Sequence, residues 1–174
     1  MTEEFVILVD KNDKEVGLME KMEAHERGVL HRAFSVFVFN QNKELMLQQR
    51  AFTKYHSPGL WTNTCCSHPR KGETIDEAAH RRLLEEMGFD CPIRKSFHFI
   101  YKADVGQGLT EHEFDHVLIG VSDSEPLINK DEVNAWKYIK LPDLKNEIQK
   151  HPDLFTVWFR IAFKEVENRI KTLF

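Results

Sequence analysis

A thiol and an imidazole stand two residues apart in the run Thr62-Asn63-Thr64-Cys65-Cys66-Ser67-His68-Pro69. The run is built of small polar residues and carries neither a helical nor a strand-like hydrophobic period. By composition it adds little to a core, so its side chains are expected to face something. Cys66 could act as an acid or base on a substrate, a nearby cation lowering its pKa so that thiolate is available near neutral pH. The plainer reading keeps both cysteines as small buried apolar residues, as free cysteines often are. His68 has the chemistry of a metal ligand.

Further donors lie elsewhere in the chain. His25 and His31 are six apart, and Glu111 and Glu113 flank His112. If 111–113 is extended, strand alternation places the two carboxylates on one face. Three imidazoles with two carboxylates suit a divalent transition metal with mixed nitrogen and oxygen ligands, zinc or manganese. Spacing alone leaves open that most of the nine His are surface groups.

Lys21, Arg50, Lys54 and Arg82 each end a predicted element. As solvated surface they need no explanation. They would converge on an anion, phosphate above all, if neighbouring Glu86 holds a divalent cation, because cationic side chains with Mg²⁺ are a usual way to bind a diphosphate. Trp158 sits among Phe155, Phe159 and Ile161 in a pattern that normally means core, although an indole face also stabilises a cation.

These side chains need elements to position them. Residues 5–9 read as a buried strand, 11–14 as a turn and 15–20 as its hairpin partner. Strands are predicted over 33–40 and 44–50, with a turn at 41–43. Residues 73–87 form a helix whose apolar stripe is Ile75, Ala78, Ala79, Leu83 and Met87, with Gly88 just past its end. Strands follow over 97–103 and 114–121, separated by a glycine-bearing loop at 104–110. A short strand at 134–139 precedes a helical tail over 141–150 and 153–171, broken at Pro152. Helices and strands mix without strict alternation, which favours a mixed α/β sandwich over a doubly wound parallel sheet.

The bulk numbers set bounds. At 174 residues the chain suits one domain over 1–174. The net charge of −4 points to neither nucleic acid nor a membrane surface as partner. No apolar stretch approaches the roughly 18 residues of a membrane span. Three cysteines, two of them adjacent, cannot build a disulfide framework and fit a reducing cytoplasm. The acidic start Met1-Thr2-Glu3-Glu4 lacks the basic and apolar parts of a signal peptide. A monomer acting on a small molecule is expected.

From Leu18-Met19-Glu20-Lys21 through Asn63-Thr64-Cys65-Cys66-Ser67-His68-Pro69 and Glu111-His112-Glu113 to Trp158, the chain resembles the type I isopentenyl-diphosphate isomerases of the Nudix superfamily. The general Nudix pattern is G-x5-E-x7-R-E-U-x-E-E-x-G-U, with U apolar. Here Ser67 stands for the first Gly, and Glu73 and Arg81-Arg82-Leu83-Leu84-Glu85-Glu86-Met87-Gly88-Phe89 complete the pattern, with Arg82 in place of a Glu. That loss of a carboxylate puts diphosphate hydrolysis in doubt and fits an enzyme that leaves the diphosphate intact. The resemblance implies a Nudix-like mixed β-sheet sandwich flanked by helices. It implies that His25, His31, His68, Glu111 and Glu113 bind Zn²⁺ or Mn²⁺, and that Glu86 binds Mg²⁺ on the substrate. Lys21, Arg50, Lys54 and Arg82 would hold the diphosphate. Cys66 and Glu113 would be the acid/base pair, with Tyr101 hydrogen-bonded near Glu113 and Trp158 facing a carbocation. The Glu113/Tyr101 side would protonate the alkene and Cys66 would deprotonate C2. A Nudix hydrolase of nucleoside diphosphate derivatives and a non-catalytic binding module are the competing readings.

Overall fold

Every predicted strand forms, and several run beyond their hydrophobic pattern. The computed structural model describes residues 4–171, so the ends of the expected 1–174 domain, 1–3 and 172–174, lie outside the described residues. The strands are β1 (Phe5–Val9), β2 (Glu15–Glu20), β3 (His31–Phe39), β4 (Glu44–Arg50), β5 (Trp61–Thr62), β6 (Cys65–Ser67), β7 (Ile93–Gly106), β8 (Leu109–Val121) and β9 (Val133–Lys140). The helices are α1 (Lys21–Arg27), α2 (Ile75–Arg82), α3 (Leu141–Lys150) and α4 (Val157–Ile170). No helix of the described residues is long and apolar enough to cross a membrane.

The sheet is mixed and forks at β3. β3 runs parallel to β8 over its whole length, and antiparallel to β6 through Phe34–Ser67, Ser35–Cys66 and Val36–Cys65. β4 meets β3 only at Phe39–Leu45, then parts from it to pair with β5 and β9. β1 and β2 form a hairpin beside the start of β3.

Alternate residues of the central strands feed two cores. Phe37, Phe39, Leu45, Leu47, Val117 and Ile119 pack against Leu144 of α3 and against Trp158, Phe159, Phe163 and Val166 of α4. Phe34, Val36, Val38, Met46 and Leu118 pack against Ile75, Ala78, Ala79, Leu83 and Met87. A sheet buried on both faces between helical layers is the sandwich its strand pattern implies.

Three local readings need correction, and one helix went unforeseen. The polar run 62–69 is not free of strand structure, because β5 and β6 take up most of it. Thr62, Asn63 and Thr64 are fully buried and fill the fork between β3 and β4. Thr64 Oγ1 accepts from the Val38 amide at 2.9 Å and donates to the Met46 carbonyl at 2.7 Å, while Asn63 Nδ2 donates to the Val36 and Cys65 carbonyls. These side chains supply the partners that parting strands withdraw from one another, and buried backbone groups need such partners. The 104–110 loop is instead a continuation of β7 and β8 around Gln107 and Gly108, whose φ values of 57° and 76° suit a tight hairpin turn. The 73–87 helix changes at Leu83 to a π-helical turn, Leu83–Met87, closed by Gly88 in the left-handed region at φ 70°. Such turns are rare and recur at functional sites. Finally, α1 has no apolar stripe to announce it. It is held by the Glu20 side chain accepting from the Glu23 amide and by Gly28 at its left-handed end.

Replacing Thr64→Val keeps the shape and strands the Val38 amide and Met46 carbonyl. Unfolding free energy in urea should fall by roughly 2–4 kcal/mol, since each unmatched buried group costs about 1–3 kcal/mol.

Candidate active site

Five potential ligands converge on one point. His25 comes from α1, His31 opens β3, His68 follows β6, and Glu111 and Glu113 project from β8; one ligand atom of each lies within 4.8 Å of the others. Register explains the meeting. His31 is paired with Glu113 across the parallel strands, and Ser67 with Phe34 across the antiparallel ones. Glu111, Glu113 and Asp115 are buried on one face of β8, while His112 between them turns to the Gly28 carbonyl at 2.9 Å.

The imidazoles are oriented from behind. His25 Nδ1 donates to the Lys21 carbonyl at 2.6 Å and His31 Nδ1 to the Val29 carbonyl at 2.8 Å, which turns both Nε2 atoms inward. His31 Nε2 and His68 Nε2 are 3.2 Å apart, and His68 Nε2 is 2.9 Å from Glu113 Oε1. His25 Nε2 and Glu111 Oε2 face each other at 3.2 Å, yet both are buried without a hydrogen bond. Two orphaned atoms of ligating type, in a nest of nitrogen and carboxylate donors, fit a divalent metal. Burial raises the Glu111 carboxyl, but the His25 and His56 imidazoles close beside it outweigh this and hold the pKa well below the ordinary range. Glu113 is likewise lowered: burial and the Glu111 charge push it up, and His31 and His68 overcome them.

A cavity of about 610 Å³ adjoins this cluster, within the usual size of a small-molecule site. Cys66, Glu113, Tyr101 and Trp158 line it, as do Lys21, Arg50, Lys54, Arg82, Glu86, His68 and Glu111. His25 and His31 lie behind this lining, fully buried. Tyr101 faces Glu113 across the β7–β8 ladder and donates its hydroxyl to Oε2 at 2.7 Å. Trp158 belongs to the core under α4 and also walls the cavity. The Arg50 guanidinium lies 5.4 Å from its ring centre, within the range of a cation–π contact.

The cations are not idle. Arg50 donates to the His56 and Ser57 carbonyls at 3.1 and 3.2 Å, tying down the loop after β4. Lys21 pairs with Glu4 and lies 5.0 Å from the Tyr55 ring centre. Lys54 pairs with Glu132, and Arg82 contacts Glu85, Glu86 and Glu132.

One expectation about Cys66 is overturned. Burial pushes its pKa up to about 12, and the lowering effect of Arg50 is too small to offset this. The group is a thiol near neutral pH, not a thiolate.

Four participants escaped the sequence reading. Asp115 continues the alternation of Glu111 and Glu113, a signal that was available, and accepts from Ser35 Oγ at 2.8 Å. Gln48 Nε2 donates to Glu86 Oε2 and to the Thr64 carbonyl, both at 2.8 Å. Glu132 sits between two cations just before β9. His56, in a turn-rich loop with no local signal, places Nε2 2.8 Å from Glu111 Oε1 and its ring edge-on to Trp158, 5.9 Å between centres.

Two measurements follow from this geometry. Iodoacetamide should alkylate Cys66 with a rate that climbs about tenfold per pH unit from roughly pH 7 to 10, because thiolate grows with pH throughout that interval. A free thiol levels off above about pH 9, and a plateau there for Cys66, followed by mass spectrometry, would contradict the raised pKa. His56→Ala frees the far oxygen of Glu111 and should weaken zinc or manganese binding by about 10-fold or more in equilibrium dialysis.

The NUDIX domain family matches residues 29–159. The chain is 51% identical to isopentenyl-diphosphate Delta-isomerase 2 of Photorhabdus laumondii subsp. laumondii, over 95% of this chain and 97% of that protein. It is also 51% identical to isopentenyl-diphosphate Delta-isomerase 2 of Aromatoleum aromaticum, over 94% of this chain and 87% of that protein. Among solved structures, DR0079 from Deinococcus radiodurans superposes with a TM-score of 0.70 at 20% identity, covering 84% of this chain and 90% of that one, a likeness of fold. A forked mixed sheet between helices, the altered box at Glu73–Phe89 and half-identity over almost the whole length agree: the chain belongs to the Nudix superfamily and, within it, to the isopentenyl-diphosphate Delta-isomerases.

Proposed function

We propose that this protein interconverts isopentenyl diphosphate and dimethylallyl diphosphate by adding a proton to the terminal alkene carbon and removing one from C2. The observation that carries this reading is a single cavity lined by two proton-exchanging groups, Cys66 and the Tyr101–Glu113 pair, together with an indole and four cations.

An unactivated alkene is a weak base, so the donor must be held against it and water kept out. The tertiary carbocation between the two steps would be captured by water. Trp158 offers an aromatic face instead, and its tolerance of a nearby cation is already expressed in Arg50. Lys21, Arg50, Lys54 and Arg82, which line the same cavity, would hold the diphosphate. Glu86 is steadied by Gln48 and is the residue we assign to Mg²⁺ on the substrate. His25, His31, His68, Glu111 and Glu113 would hold Zn²⁺ or Mn²⁺, whose charge, when bound, would lower the basicity of Glu113. The protein's own groups perform the transfer. Tyr101 donates to Glu113 Oε2 and so orients the carboxyl for exchange with carbon.

The resting protonation bears on direction. Cys66 rests as a thiol and Glu113 as a carboxylate. A thiol is set to give a proton and a carboxylate to take one, the reverse of the direction expected from resemblance. As the reaction is reversible, both groups serve in turn. Hydrolysis of the diphosphate is disfavoured because Arg82 stands where the Nudix pattern has a Glu and engages Glu85 at 2.8 Å, occupying a carboxylate that a hydrolase would give to metals. We assign the working protein to the cytoplasm, as a single-domain monomer.

Incubation with isopentenyl diphosphate and Mg²⁺ in D₂O should yield dimethylallyl diphosphate carrying deuterium in its new methyl group, followed by NMR. Intact substrate or released phosphate would sink the proposal. Cys66→Ala and Glu113→Gln should each lower turnover at least about 10³-fold, of the order expected when general acid–base catalysis is removed, with binding of inorganic pyrophosphate retained.

A further inference from the structure

We infer that Glu132 is an internal counter-anion that the substrate's diphosphate displaces from Lys54 and Arg82, and that it sets how tightly the diphosphate is held. This rests on the diphosphate substrate proposed above. Glu132 lines the cavity, and one of its carboxylate oxygens, Oε2, contacts both Lys54 Nζ and, at 3.4 Å, Arg82. A single carboxylate thus occupies the place between two cations that a phosphate oxygen would take.

Its mounting suits exchange. The backbone of Glu132 is fixed, the amide donating to the Asn129 carbonyl at 3.0 Å and the carbonyl accepting from the Ala51 amide at 3.0 Å. Only the side chain must swing for the cations to be released. Arg82 would stay in place without it, because Glu85 and Glu86 hold the guanidinium independently. Lys54 would lose its carboxylate tether, freeing the ammonium to follow a ligand.

The chemistry explains why such a competitor is useful. Isomerisation alters the alkene and leaves the diphosphate unchanged, so every contact to that group holds product as firmly as substrate. Binding shared by substrate, transition state and product lowers KM without raising kcat, and it slows product release. An internal anion that opposes the diphosphate weakens this shared grip alone. Its ion pairs are with Lys54 and Arg82, not with Cys66, Tyr101, Glu113 or Trp158, the groups assigned to the carbon chemistry.

The alternative is that Glu132 joins Glu86 in holding Mg²⁺, or simply orients the cations. Either role predicts the opposite sign. The test is Glu132→Gln, with Glu132→Ala as a second variant, titrated calorimetrically with inorganic pyrophosphate and Mg²⁺ alongside the full-length wild type. Displacement predicts binding about fivefold tighter in both variants, the scale of one partly exposed ion pair. It further predicts a lower KM for isopentenyl diphosphate, a kcat equal to or below wild type, and kcat/KM not reduced. Unchanged or weaker pyrophosphate binding, with wild-type binding intact, overturns the inference while leaving the isomerase reading standing. Failure of the wild type itself to bind pyrophosphate overturns both.

Discussion

The site depends on how the fork between β3 and β4 is filled. Where the two strands part, their backbone groups lose partners in a place that water does not reach, and Asn63 and Thr64 restore them, with Thr62 donating to Asn63 Oδ1 behind. The consequences radiate from there. β6 leaves the plug in register with β3, which delivers Cys66 and His68. Thr156, the residue before α4, donates its hydroxyl to Thr62 and its amide to the Trp61 carbonyl, which fixes the helix end that carries Trp158. Gln48 spans from the Thr64 carbonyl to Glu86. Thiol, imidazole, indole and carboxylate therefore share one structural origin, three buried polar side chains that touch no ligand.

Around that plug the charges are sorted into two neighbourhoods. On the β8 side, carboxylates and imidazoles are packed so closely that two ligating atoms lack any hydrogen bond. Near α2 and the loop after β4, lysines and arginines are each matched with a glutamate or a carbonyl. Both arrangements hold groups of one sign in low-dielectric surroundings by giving them opposite or dipolar company, since unpaired buried charge is prohibitive. They differ in what the company is. The first neighbourhood is built mostly from buried side chains held from behind, whereas the second relies on long side chains that can rotate away.

Much of this could be read from residue types, and the failures have physical causes. The five metal candidates and the cavity-lining residues were identifiable because their motifs are specific, and alternation correctly put Glu111 and Glu113 on one face. The plug was misread because Thr62, Asn63 and Thr64 look like exposed loop by composition; their burial follows from a sheet fork that no local pattern encodes. Cys66 was expected as a thiolate because cations are nearby, but desolvation outweighs Arg50, a balance set by packing. His56 and Glu132 owe their positions to a loop and a strand edge brought in from afar. Asp115 was within reach of the same alternation argument and needed only one more step along the strand.

The adjacent cysteines give the plug a further meaning. Cys65 belongs to the core beneath α2, while Cys66 packs toward α4 and the cavity. They stand on opposite faces of a three-residue strand held by three pairings. Sliding β6 by one position would turn Cys66 inward toward α2 and carry His68 off the metal cluster, since a one-place slip inverts every side chain of a strand. The segment between the fork and His68 therefore has no spare length. A single-residue insertion or deletion there exchanges the two thiols and dismantles the ligand set together, making chain length in this stretch as much a part of the chemistry as the residues themselves.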